Sequence, residues 1–136
     1  MDIRQIQSDH DVLLARMAAL RDLVAAGTTA NAVAISAELA ALGATLRLHL
    51  AIEDNLLYPA LARANNAEIA DAGRHFQQEM GGLADDYAAF TQRWCAADDI
   101  AAAPERFRQD LETVLGALDA RIAREHATLL PMAATL

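Results

Sequence analysis

Apolar residues recur every three or four positions along four long stretches of the chain, the spacing that is typical of amphipathic helices. Short breaks rich in glycine, asparagine or aspartate separate these stretches. The pattern predicts helices over about residues 2–26, 31–58 and 68–95, and a fourth that starts at Pro104. Because the connections are short, sequential helices should pack antiparallel. We therefore expect an all-α protein, a single up-down-up-down antiparallel four-helix bundle spanning residues 1–136.

The apolar stripe of the second predicted helix contains two polar residues. Its members, at alternating steps of three and four, are Leu39, Leu42, Leu46, His49, Glu53 and Leu56. A polar side chain in a core position costs free energy unless something pairs with it. Pro59 follows the stripe, and we expect it to end the helix near Tyr58 because the residue before a proline disfavours helical backbone.

The other three helices also carry polar side chains on or beside their apolar stripes. His10 fills the gap between Ile6 and Leu13 on the first helix. The remaining candidates on the third and fourth helices are His75, Glu79, Arg121, Glu125 and His126. Inward histidine and glutamate from several helices are the usual route to a metal centre in a bundle.

Histidine and glutamate four residues apart lie on one helix face, about one turn from each other. His49 with Glu53 and His75 with Glu79 both have this spacing, and mixed imidazole and carboxylate ligands suit iron, manganese or zinc. Each element also has a simpler interpretation: His10 as a hydrogen-bonded core histidine, the His49–Glu53 pair as a surface pair, and Glu79 as a solvent-facing residue. Taken together, the elements favour a metal centre.

The chain repeats itself weakly. Residues 49–59 align with residues 121–131, and alanine, glutamate, leucine and proline recur in register. In this alignment Arg121 stands opposite His49, and Glu125 stands opposite Glu53. A helix pair used twice would arrange the candidate residues around a pseudo-twofold axis.

Composition narrows the classes of function. A net charge of −8 argues against nucleic acid, whose phosphates require a basic face. The single cysteine, Cys95, excludes an internal disulfide and a cysteine-rich metal site, and it fits a cytoplasmic protein. The first residues show no signal-peptide pattern, and no stretch approaches the roughly 20 apolar residues of a membrane span. We expect no membrane partner, and the sequence leaves the oligomeric state open.

Several segments of the chain resemble the hemerythrin-like, HHE cation-binding family. Asp9-His10-x-x-Leu13 is similar to the family's first-helix signature, and His49-x-x-x-Glu53 with the following Leu56-Leu57-Tyr58-Pro59 is similar to its second. Glu125 with Leu129-Leu130-Pro131 is similar to the fourth. The resemblance implies a non-haem iron centre that binds or senses O2, NO or iron. It also implies metal-ligand roles, carried over to His10, His49, Glu53, His75 and Glu125.

Arg121 departs from the family pattern, because the fourth helix normally provides a histidine there. Arginine has no lone pair to offer a metal and stays protonated. His126 is a candidate replacement ligand, or else a surface residue near the helix end. Arg121 itself has two alternatives: its stem can extend outward while Ile122 keeps the core register, or it can pair inward with Glu53, Glu79 and Glu125.

Three functions follow from these alternatives. The first is an iron-binding protein, di-iron or mononuclear, with a small diatomic ligand. The second is a metal-free bundle with an Arg121–carboxylate core that serves as a structural or interaction module. The third is a di-iron oxidase, for which the sequence offers no substrate-pocket signature. A metal- or ligand-binding protein is favoured over an enzyme, so we assign no catalytic residues.

Overall fold

The protein, seen in a computed structural model that describes residues 1–136, is all-helical and has no strands. Two π-helical turns, Glu53–Leu57 and Glu125–Leu129, interrupt its long helices. The α-helices are α1 (Arg4–Gly27), α2 (Ala32–Ile52), α3 (Tyr58–Ala62), α4 (Ala67–Met80), α5 (Leu83–Arg93), α6 (Ala97–Ala102), α7 (Pro104–Arg124) and α8 (Leu130–Ala134).

The second helix does not end at Tyr58 as predicted, but continues to Ala62 through the first π turn. In this turn the Tyr58 N–H donates to the carbonyl of Glu53, five residues earlier. A proline in a regular helix removes a hydrogen bond and clashes with the carbonyl one turn before it. The wider π turn accommodates Pro59 at the start of α3, and the same arrangement recurs at Pro131 in α8.

The π turn also shifts the register of the apolar stripe by one residue. Leu56, predicted to lie in the core, is 58% exposed, whereas Leu57 is fully buried. The extra residue in the turn rotates every later side chain, so Leu57 takes the inward position. Glu53 stands before the shift and keeps its predicted core position.

The third predicted helix is split at Gly81 and Gly82 into α4 and α5. Two adjacent glycines each lower helix stability by about 1 kcal/mol relative to alanine, which favours a break. The segment after Cys95, expected to be a loop, contains the short helix α6. Asp98 and Asp99 lie in its first turn, where negative charge complements the helix dipole, and it buries Ile100.

The helices pack α1 on α2, α3 on α4, α2 on α5 and α5 on α7, with α1 also contacting α7. Their apolar faces form two hydrophobic clusters. The larger cluster includes Leu13, Leu50 and Ile122, and the smaller includes Ile6, Leu57 and Leu129. Along the chain, a residue of one cluster precedes and a residue of the other cluster follows each of His10, Glu53 and Glu125. These polar side chains therefore form a layer between the two apolar regions.

By length and composition alone, the continuous helix Ala32–Ala62 is long and apolar enough to cross a membrane, contrary to the expectation from the sequence. A core helix of a globular protein meets the same two criteria. This helix also carries the buried polar residues His49 and Glu53 into the bundle.

Candidate metal centre

Four buried side chains converge between the two hydrophobic clusters. His10 comes from α1, His49 from the last turn of α2, and Glu53 and Glu125 each open a π turn. One ligand atom from each residue lies within 4.8 Å of every other. Four of the seven predicted metal ligands are therefore brought to one place.

The spacing of these atoms suits a shared metal ion. His10 Nε2 lies 3.1 Å from Glu125 Oε2 and 3.5 Å from Glu53 Oε2. His49 Nε2 lies 2.9 Å from Glu53 Oε1. Bonds of about 2.0–2.2 Å to one ion place neighbouring ligand atoms roughly 2.8–3.6 Å apart, which includes all three distances.

The hydrogen bonding of the cluster also fits a cation. His10 Nε2, His49 Nε2, Glu53 Oε2 and Glu125 Oε2 are buried, and none of them has a hydrogen-bond partner. An unsatisfied buried polar atom costs roughly 1–3 kcal/mol, and more when the group is charged. Four such atoms facing one another are well explained by an ion that bonds to all of them.

The second ring nitrogen of His10 has a hydrogen-bond partner, whereas that of His49 has only a nearby carboxylate and makes no hydrogen bond. His10 Nδ1 lies 3.0 Å from His126 Nε2, and His49 Nδ1 lies 3.5 Å from Asp9 Oδ2. Gln5 Nε2 donates to the other Asp9 oxygen at 2.7 Å. Outer partners of this kind orient histidine ligands and fix their tautomer. His126 is an exposed residue that contacts the centre through His10.

The electrostatics of the cluster couple the histidine to the carboxylates. Burial lowers the pKa of His10, but its contacts with Glu125 and Glu53 outweigh burial and raise the pKa to about 9. Burial raises the pKa of Glu53, but the contacts with His10 and His49 outweigh burial and hold this pKa well below its ordinary range. The pKa of Glu125 is raised, because burial and the neighbouring Glu53 together outweigh His10 and Arg121.

Arg121 points inward, so the outward alternative is wrong. The residue is 2% exposed, and its Nε donates to Glu125 Oε1 at 2.8 Å. Nη2 lies 3.4 Å from both Glu53 Oε1 and Asp54 Oδ1. Ile122 is buried as well, so both residues face the core. The guanidinium contacts two of the three predicted carboxylates, Glu53 and Glu125.

The predicted placement of His75 and Glu79 at the centre is wrong. The His75 side chain is 64% exposed, and its Nε2 contacts Glu79 Oε1 at 2.9 Å on the surface of α4. Glu79 Oε2 pairs with Arg124 at 2.6 Å, and the proximity of Arg124 lowers the Glu79 pKa. The physical reason is the position of Phe76, which takes the inward place about 100° around the helix from His75.

Sequence reasoning assigned no role to Asp9 and left that of Tyr58 open. The Tyr58 hydroxyl is buried and donates to Glu125 Oε1 at 3.1 Å, so it anchors one of the carboxylates. Tyr58 directly precedes Pro59, and the π turn aims it inward. The sequence marked Asp9 only as part of the Asp9-His10-x-x-Leu13 segment, which does not show that its carboxylate lies beside His49.

Comparison with known proteins agrees with this geometry. The family model of the hemerythrin HHE cation binding domain matches residues 1–133. The chain belongs to the hemerythrin HHE cation-binding family. No curated protein and no solved structure gives a significant match. In this hemerythrin-family chain, the cluster of His10, His49, Glu53 and Glu125 can hold a metal ion.

Proposed function

We propose that this hemerythrin-family protein binds non-haem iron at His10, His49, Glu53 and Glu125, and that it binds or senses a small diatomic molecule, O2 or NO. The observation that carries the proposal is the set of four buried donor atoms that face one another without hydrogen bonds. Family membership supports a cation as the occupant.

The ligand chemistry favours iron. Two imidazoles and two carboxylates form a mixed nitrogen and oxygen donor set, and such sets with open positions suit Fe(II). A bound iron ion would supply an open coordination position for the diatomic molecule. The protein residues hold this donor set: Tyr58 fixes Glu125, Asp9 lies beside His49, and the two hydrophobic clusters restrict water.

We further propose that the long helices run up-down-up-down, as the short connections predict. The packing of α1 on α2, α2 on α5 and α5 on α7 supports this order. A cytoplasmic location, with no nucleic-acid or membrane partner, stays a prediction from the sequence.

Metal analysis tests the proposal. Protein produced in iron-replete medium should retain iron after desalting, and its ultraviolet–visible spectrum should change when O2 or NO is added to the anaerobic Fe(II) form. His49→Ala should lose most of this iron, whereas His75→Ala, on the surface of α4, should retain it. Wild-type protein that retains no iron, Mn or Zn contradicts the proposal.

The second candidate function is a metal-free structural or interaction module. The observation in its favour is Arg121, which pairs with both buried carboxylates and supplies one positive charge without any ion. It does not explain why His10 Nε2, His49 Nε2 and the two Oε2 atoms lack hydrogen bonds.

The largest cavity supports neither candidate, nor an oxidase. It measures about 670 Å³ and lies between α2 and α5, lined by residues such as Ser36, Trp94 and Cys95. None of its lining residues belongs to the metal centre. It is a surface groove and does not connect a substrate to the cluster.

A further inference from the structure

In each of the two buried carboxylates, the two oxygens face different partners. Glu53 and Glu125 both turn Oε2 toward His10 Nε2, at 3.5 and 3.1 Å. Both turn Oε1 toward Arg121, at 3.4 Å to Nη2 and 2.8 Å to Nε. The pair therefore lies between His10 on one side and the guanidinium on the other, and Glu53 Oε1 also lies 2.9 Å from His49 Nε2.

The guanidinium is held firmly in its position. Nε and Nη2 contact carboxylates, and Nη1 donates to the carbonyl of Met80 at 3.2 Å. Met80 ends α4 at the Gly81 break, so its carbonyl lies at the negative end of the helix dipole. The guanidinium carbon also lies 5.5 Å from the centre of the Tyr58 ring, a distance suited to a cation–π contact.

The internal repeat shows what the guanidinium replaces. His49 precedes Glu53 by four residues, and Arg121 precedes Glu125 by four, each glutamate opening a π turn. In the first half the residue on the preceding turn is an imidazole that contacts the carboxylate. In the second half it is a cation with no lone pair, so the carboxylate oxygens there are neutralised by the protein itself.

We propose that Arg121 takes the place of a second metal ion and limits the centre to one ion per chain. This proposal rests on the proposed function, because it concerns the same carboxylates. Arg121 fills the space beside both Oε1 atoms, and its positive charge repels any further cation a few Å away. The planar guanidinium suits this role because it contacts two carboxylates at once.

Iron stoichiometry tests this role. Metal-free wild-type protein and the variants Arg121→His, Arg121→Gln, Arg121→Lys and Arg124→Gln are loaded with excess Fe(II) under anaerobic conditions, desalted, and analysed for iron per chain. Arg124 is the matched control, since it lies on the same helix but pairs with Glu79 at the surface. Zinc titration followed by calorimetry gives the same count independently of iron chemistry.

We expect one ion per chain in the wild type, in Arg121→Lys and in Arg124→Gln. Arg121→His, which makes the second half of the repeat match the first, should bind two ions, the second at least tenfold more weakly. Arg121→Gln removes the positive charge without adding an imidazole. It should bind a second ion, but more weakly than Arg121→His does. Arg121→Lys retains the charge, and two ions in that variant would overturn the proposal even if the others fail to fold.

The remaining outcomes separate this proposal from the proposed function. Two ions in the wild type, or one ion in every folded variant, would overturn the role of Arg121 and leave the proposed function standing. No ion in the wild type but one in Arg121→His would overturn both the proposed function and the count of one ion per chain, because Arg121 would then exclude every ion from the centre. No ion in any of the proteins would overturn both.

Discussion

Replacing Arg121 by glutamine should strongly destabilise the metal-free protein. Arg121 is 2% exposed, and it contacts Glu125 at 2.8 Å and Glu53 at 3.4 Å, both of them buried. Removing one partner of a buried ion pair costs roughly 3–5 kcal/mol, because the other charge is left without compensation. At an unfolding entropy of about 2.1 cal/mol/K per residue, that cost lowers the melting temperature by roughly 10–18 °C.

Thermal unfolding followed by circular dichroism in the presence of a chelator measures this loss. Arg124→Gln is the matched control: the Arg124 side chain is 46% exposed, and surface pairs contribute about 0–1 kcal/mol. The expected result is a large drop for Arg121→Gln and a drop of less than about 4 °C for Arg124→Gln. Equal and small effects in the two variants would refute the assignment of Arg121 as the cation of the metal-free core.

Three further predictions follow from the same contacts. Glu53→Ala should abolish iron retention in desalted protein, whereas Glu79→Ala should leave it near the wild-type level, because Glu79 lies outside the cluster; equal losses would count against this placement. In the metal-free protein the pKa of His10 is raised from 6.5 to about 9, so its contribution to stability is complete below about pH 6.5 and is lost as the pH rises through about 9. Urea unfolding between pH 6 and 10 measures this loss, which should be absent in His10→Gln; a wild-type stability independent of pH would contradict it. Tyr58→Phe should lower stability by about 1.5–3 kcal/mol, the value of a hydrogen bond to a charged group, and urea unfolding that shows no loss would mean that the hydroxyl does not hold Glu125.

The sequence predicted the residues that the regular helices position. His10, His49 and Glu53 lie on stripes whose spacing follows an α-helix without interruption, so their inward direction could be deduced. Glu125 followed from the repeat, since it aligns with Glu53. Family membership was also indicated by these residues and is confirmed by the match over residues 1–133.

Irregular backbone limited the rest of the prediction. The first π turn places Leu57 in the core and leaves Leu56 exposed. A regular helical period does not reveal a one-residue insertion of this kind. The continuation of the helix past Pro59 depends on the same turn. The Gly81–Gly82 break was present in the sequence as a helix-weakening pair, but its role in presenting the Met80 carbonyl to Arg121 is a tertiary contact.

The placement of His75 and the direction of Arg121 were decided by competition between neighbouring side chains. Phe76 and His75 are adjacent, and burying the phenylalanine leaves the histidine at the surface. Arg121 turns inward because two buried carboxylates and a helix-terminal carbonyl can receive its donors. Two of these partners, Met80 and Glu53, are 41 and 68 positions from Arg121, and local spacing does not report such contacts.

Anomalous diffraction at the iron edge, from crystals grown with Fe(II), tests the central claim most directly. The account predicts one iron peak per chain, within bonding distance of His10, His49, Glu53 and Glu125, with the Arg121 guanidinium still beside the two Oε1 atoms. A peak at His75 and Glu79 instead, two peaks within the bundle, or a cluster with no bound iron under these conditions would contradict it.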